Sequence, residues 1–112
     1  MQLLRESGFD FDKHKTDGIP HKIFAEHLIS CGLVLNSRNH WITFHGSGDF
    51  GYLLRILLGH NLPNTQEEFL NLLDMYFYNY YDCKEIKREI DVQGGLVKLA
   101  KELDVDRIGT MH

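Results

Sequence analysis

The chain has 112 residues, 43% of them apolar and 25% charged, with a net charge of −4 and a pI near 5.9. A chain of that size fits one domain near the small end of the usual range, and the composition excludes wholesale disorder. The acidic balance excludes a generally basic nucleic-acid binder, but not an enzyme that meets RNA locally or through a metal ion.

The opening MQLLRESGFDFDK has neither a long apolar core nor a basic leader, so it does not read as a secretory signal. No apolar run approaches the ~18–20 residues that span a bilayer. Cys31 and Cys83 belong to no C-x-x-C pair and read as free thiols of a reducing compartment. A soluble, intracellular protein without membrane contact is expected. FDFDKHKTDG, ending at Gly18, reads as a charged loop. Pro20 suits the first turn of a helix whose apolar stripe is Ile23, Phe24, His27, Leu28 and Cys31, stopped by Gly32.

LVL and HWITF flank the turn-like NSRN, so one or both are predicted strands, with Trp41, Thr43 and His45 on one face and Ile42 and Phe44 on the other. After Asp49, residues Phe50, Leu53, Leu54, Leu57 and Leu58 follow helical spacing up to Gly59. Thr65 and Glu68 have capping-box spacing ahead of a helix that buries Phe69, Leu72, Leu73 and Tyr76 or Phe77. NYYDC reads as a short strand and KEIKREI as a helix. Gly94 and Gly95 open a last helix with Leu96, Leu99, Ala100 and Leu103 inward. Alternating strands and helices predict an α/β layered domain with few strands for its helices.

The segment FHGSGDFGYLLR, Phe44 to Arg55, carries the chemistry. Asp49 at a helix start suits a cap, because a carboxylate there meets free N–H groups and the positive end of the helix dipole. It equally suits a Mg²⁺ ligand, since the small residues before it leave room at a strand end, where α/β sheets bind ligands. The residues alone leave both readings open. No Asp-x-Glu occurs, and the two Asp-x-Asp pairs, Asp10/Asp12 and Asp104/Asp106, read as solvated surface. Seven histidines fall in no zinc-type spacing, and no G-x-S-x-G, P-loop or dinucleotide fingerprint is present.

Taken in order, GFDF and KH, GI, FAEHLISCGLVL, WITFH, DFGYLLRIL, NLP, YYDCKEI, GGLVKLAKEL and RIG with a following His resemble the Caf/Pop poly(A) deadenylases, nuclease subunits of the Ccr–Not complex. The resemblance covers nearly the whole chain. It implies a DEDD-type exonuclease, of which residues 1–112 would be the central part: a ribonuclease-H-like sheet flanked by helices, lacking the N-terminal strands and the C-terminal helices. The implied activity is 3′-to-5′ shortening of mRNA poly(A) tails by two-metal-ion hydrolysis with Mg²⁺ or Mn²⁺. Asp49 matches one of the family's four metal-binding acidic residues, and His112 matches its catalytic histidine, the general base. Phe44, His45 and Phe50 are carried over as substrate-facing candidates. Gly48 departs from the pattern, standing where the family has an aromatic. The family's D-x-E strand matches nothing in this chain, and its last acidic residue lies five positions past the histidine. An internal fragment, inactive by itself, is therefore expected. The implied partners are poly(A) RNA, the Not scaffold and a second deadenylase of the Ccr type, in cytoplasm and nucleus. A non-catalytic adaptor binding the Not scaffold is the alternative. Without neighbouring strands HWITF would be an exposed sheet edge, so self-association of the chain is expected.

Overall fold

The computed structural model describes residues 2–89, 93–106 and 108. Helices α1 (Gln2–Glu6), α2 (Phe11–Asp17) and α3 (His21–Ser30) lead to strand β1 (His40–Thr43). Helices α4 (Ser47–Leu58) and α5 (Gln66–Tyr76) follow, then strand β2 (Asn79–Asp82) and helices α6 (Cys83–Glu89) and α7 (Leu96–Glu102). The strands pair in parallel, His40 against Asn79 through Thr43 against Asp82. Parallel neighbours need a crossover, and α4 and α5 supply it. The result is an α/β unit with a two-stranded sheet, as thin as the shortage of strand segments implies.

Helical spacing explains the core. Phe50, Leu54 and Leu57 point inward from α4, where they meet Leu73 of α5, Phe77 just beyond it, Ala25 of α3 and Val34. Four rings tie the helices to the sheet. Phe77 meets Trp41 edge-on at 5.0 Å and lies 4.8 Å from Phe50, whose ring also meets Tyr80 at 5.8 Å and Trp41 at 6.4 Å. Such pairs add about 0.5–1.5 kcal/mol each beyond the area they bury. Gly59 closes α4 in the left-handed region at φ 73°, donating its N–H to the Arg55 carbonyl. The Thr65 hydroxyl accepts from the Glu68 N–H at 3.3 Å, so α5 begins where the capping-box residues predict.

Several expectations need correcting. The charged stretch after Phe9 is helical: the Asp10 carboxylate caps α2 by accepting from the Lys13 N–H at 3.0 Å, and that local bond compensates for the missing apolar stripe. Of the two candidate strand segments, HWITF supplies β1 and LVL is irregular, with Leu35 at φ 55° donating its N–H to the Tyr76 carbonyl. In α3 the inward residues are Ala25 and, partly, Leu28, while Ile23 and Phe24 face outward because only α4 packs closely on this helix. Leu96 and Leu103 are likewise exposed, leaving Leu99 as the buried residue of α7. His45 lies beyond the end of β1 and shares neither face of the strand.

Much apolar surface stays in water, Ile42 at 72% exposure among it. The radius of gyration is 16.7 Å, against roughly 13 Å for a compact chain of this length. Cys31 and Cys83 are free. Among the described residues no helix is long and apolar enough to cross a membrane.

Candidate metal-binding site at the strand ends

Ligands of parallel α/β sheets gather at the carboxyl ends of the strands. Here β1 ends at Thr43, and Phe44, His45 and Gly46 turn the chain into α4. His45 takes φ 57°, a left-handed conformation that costs a non-glycine residue about 1–2 kcal/mol. The Asp82 carboxylate, opposite Thr43 at the end of β2, holds it there. One oxygen, Oδ1, accepts from the His45 N–H at 2.8 Å and the Lys84 N–H at 2.9 Å, while Oδ2 accepts from the Gly46 N–H at 3.0 Å. Gly46 has no room for a side chain: a Cβ would lie 2.6 Å from Thr43 Cβ and 2.7 Å from its hydroxyl.

Burial alone would push the Asp82 carboxyl up. The backbone N–H groups of His45, Lys84 and Gly46, with the charge of His45, outweigh it and hold the group below the usual carboxylate range. A depressed folded value stabilises the fold fully above the unfolded aspartate range near pH 4, and that contribution is lost as pH falls through the folded value. Replacing Asp82 by Asn should flatten the acid limb of the stability–pH curve below about pH 4 and leave its neutral part flat; urea titrations across pH check this.

Asp49 is the third residue of α4, one turn from that clasp. The capping role is not realised. Gly46 occupies the N-cap position without a side-chain bond, and the exposed Asp49 carboxylate takes no hydrogen bond from the described residues. Its oxygens stay free in the positive field of the helix start, a hard donor of the kind Mg²⁺ and Mn²⁺ prefer. Among the described residues, however, no three His, Cys, Asp or Glu side chains converge closely enough to hold a metal ion. Asp49 therefore fits as one ligand of such an ion, and the donor set described here is not a whole site.

The other candidates fall in different places. Phe44 is half-buried beneath Lys87, whose Nζ lies 5.7 Å from the ring centroid. Lys87 itself is 9% exposed and donates to the Gly94 carbonyl. His45 is exposed at the strand end. Phe50 corrects its expectation: at 7% exposure its ring packs against Trp41, Phe77 and Tyr80, so it builds the core and offers no face to a substrate. His112 lies outside the described residues. At Gly48 a Cβ meets nothing within 4 Å, so the ring that the resemblance would place there has space. Asp82 is the residue that sequence reasoning passed over. An Asp closing a β-rich run just before a helical segment was the available signal.

No family model matches the chain. It is 49% identical over 113 aligned positions to Probable CCR4-associated factor 1 homolog 7 of Arabidopsis thaliana, covering all of this chain and 41% of that protein. To Poly(A) ribonuclease pop2 of Schizosaccharomyces pombe it is 43% identical, again over its whole length and 34% of the relative. The chain thus spans less than half the length of the curated relatives it matches. Among solved structures, S. pombe Pop2p in its Mg²⁺- and Mn²⁺-bound form superposes with a TM-score of 0.89 at 44% identity, over 96% of this chain and 43% of that one. The structure of the yeast NOT1 MIF4G domain co-crystallized with CAF1 matches with a TM-score of 0.80 at 35% identity, over 90% of this chain and 41% of that one.

Proposed function

We propose, for a chain whose homologues along its entire length are the CCR4-associated factor 1/Pop2 poly(A) ribonucleases, that it forms the central part of a 3′-to-5′ exoribonuclease that shortens mRNA poly(A) tails. The observation that carries this reading is the free carboxylate of Asp49 at the carboxyl end of the parallel pair, in a chain that superposes on a Mg²⁺- and Mn²⁺-bound Pop2p. Asp49 would help hold Mg²⁺ or Mn²⁺; what such ions supply when bound is an activated water and a stabilised leaving oxygen. Phe44 and His45 border the same strand end, and the resemblance assigns His112 the water's proton. A Not-type scaffold is the proposed protein partner, supported by the likeness to the NOT1–CAF1 crystal structure. The reading also includes a second deadenylase of the Ccr type, and action in cytoplasm and nucleus.

The test is a chimera in which residues 1–112 replace the matching segment of S. pombe Pop2. It should shorten a 3′-terminal poly(A) tract with Mg²⁺ or Mn²⁺, whereas the 112-residue chain alone should not, because one matched carboxylate cannot anchor two ions. A folded chimera that is silent on poly(A) yet binds the NOT1 MIF4G domain would favour the adaptor reading. The open edge of β1, with Ile42 in water, also predicts that the isolated chain self-associates. Light scattering across a concentration series should find species above the 13.1 kDa monomer; a constant monomer mass would refute it.

A further inference from the structure

We infer that Asp82 is a positioning residue for the metal ligand Asp49, acting through the backbone of the loop that joins β1 to α4. The inference rests on the metal-ligand reading of Asp49 proposed above. A helix N-cap needs one acceptor bond, and Asp82 satisfies that need for α6 through the Lys84 N–H. Two further bonds go elsewhere, to the His45 and Gly46 N–H groups on the far side of the sheet register. Among the described residues Oδ2 serves Gly46, the residue directly before α4, and no other group. Thr43 completes the clasp. Its hydroxyl donates to the Tyr81 carbonyl at 3.5 Å, and its side chain fills the space where a Gly46 Cβ would stand. His45 is thereby held in a left-handed conformation that a residue with a side chain seldom adopts unaided, and the start of α4 is fixed against the end of β2. A ligand set tolerates little displacement, so partners that orient a ligand from behind govern affinity almost as strongly as the ligand does.

Asp82→Asn separates this role from plain capping. Asn caps a helix about as well as Asp, and its carbonyl oxygen can keep the Lys84 and His45 bonds. Its NH₂ then faces the Gly46 N–H, donor against donor. The chimera described above should bind Mn²⁺ about 10–100-fold more weakly when it carries Asp82→Asn. Binding is read from loss of the free-Mn²⁺ paramagnetic signal. Its kcat should fall with the KM for poly(A) unchanged. A folded Asp82→Asn chimera with a lower Tm but unaltered Mn²⁺ binding and kcat would overturn the inference and leave a structural role alone. Should that variant not fold, Gly46→Ala displaces the same loop without touching the carboxylate. It should weaken Mn²⁺ binding in the same direction, and unaltered binding would overturn the inference equally. An Asp49→Ala chimera that still bound Mn²⁺ normally would overturn the metal reading itself, and this inference with it.

Discussion

Phe77→Ala should abolish the cooperative melt of the chain. Phe77 has no exposure to solvent, and its ring is the member of the aromatic cluster that touches both Trp41 of β1 and Phe50 of α4. Truncation removes the buried ring and leaves a cavity between rigid neighbours, at a cost of about 3–5 kcal/mol. The total stability of a domain is of order 5–15 kcal/mol, and this one keeps much apolar surface in water, so the loss falls on a small reserve. Phe77→Leu refills most of the space and should cost visibly less. Thermal melts followed by circular dichroism check both. A Phe77→Ala variant that melts as sharply as the parent would show that the aromatic cluster is not what joins the helices to the sheet.

Asp49→Ala should produce the opposite division of effects. The side chain is exposed and bonds to none of the described residues, so its removal should leave stability within about 0.5 kcal/mol. In the chimera with S. pombe Pop2, the same substitution should end poly(A) shortening, as the metal-ligand role proposed for Asp49 requires. Asp49→Asn should do nearly as much damage, since it keeps the shape and removes the charge. The measurement is a pair of melts beside a pair of tail-shortening assays. If activity survives in Asp49→Ala, the carboxylate is ordinary surface. If activity and stability fall together, Asp49 supports the fold in a way its surroundings do not reveal.

What is legible in the sequence, and what is not, follows a physical line. Periodic burial was legible: the spacing of Phe50, Leu54 and Leu57 places α4, and Thr65 with Glu68 places the start of α5. Locally satisfied helices were not, since α2 has no apolar stripe and depends on the bond from Asp10. The stripe of α3 was legible as a helix but not as a buried face, because burial depends on what packs there, and Ile23 and Phe24 meet too little. At the site, Asp49 could be read from its position after a β-rich run and three small residues. Asp82, between a β-rich run and a helical segment, was legible only as a helix cap; its wider role was not, because His45 and Gly46 lie more than thirty residues away in the chain and become its neighbours only when the strands pair.

The parallel pairing has a kinetic consequence. His40 finds Asn79 only after the chain has gone out through one helix and back through another, so no hairpin can seed this sheet. The entropy of closing so long a loop must be spent before the first ladder bond forms. The helices can gather early around their own side chains; the two strands, and the carboxylate clasp that depends on their register, have to assemble late. On refolding from urea, Trp41 should therefore report a slower phase than the helical signal does, and the strand ends that carry Asp49 and Asp82 should be the last part of the domain to take shape.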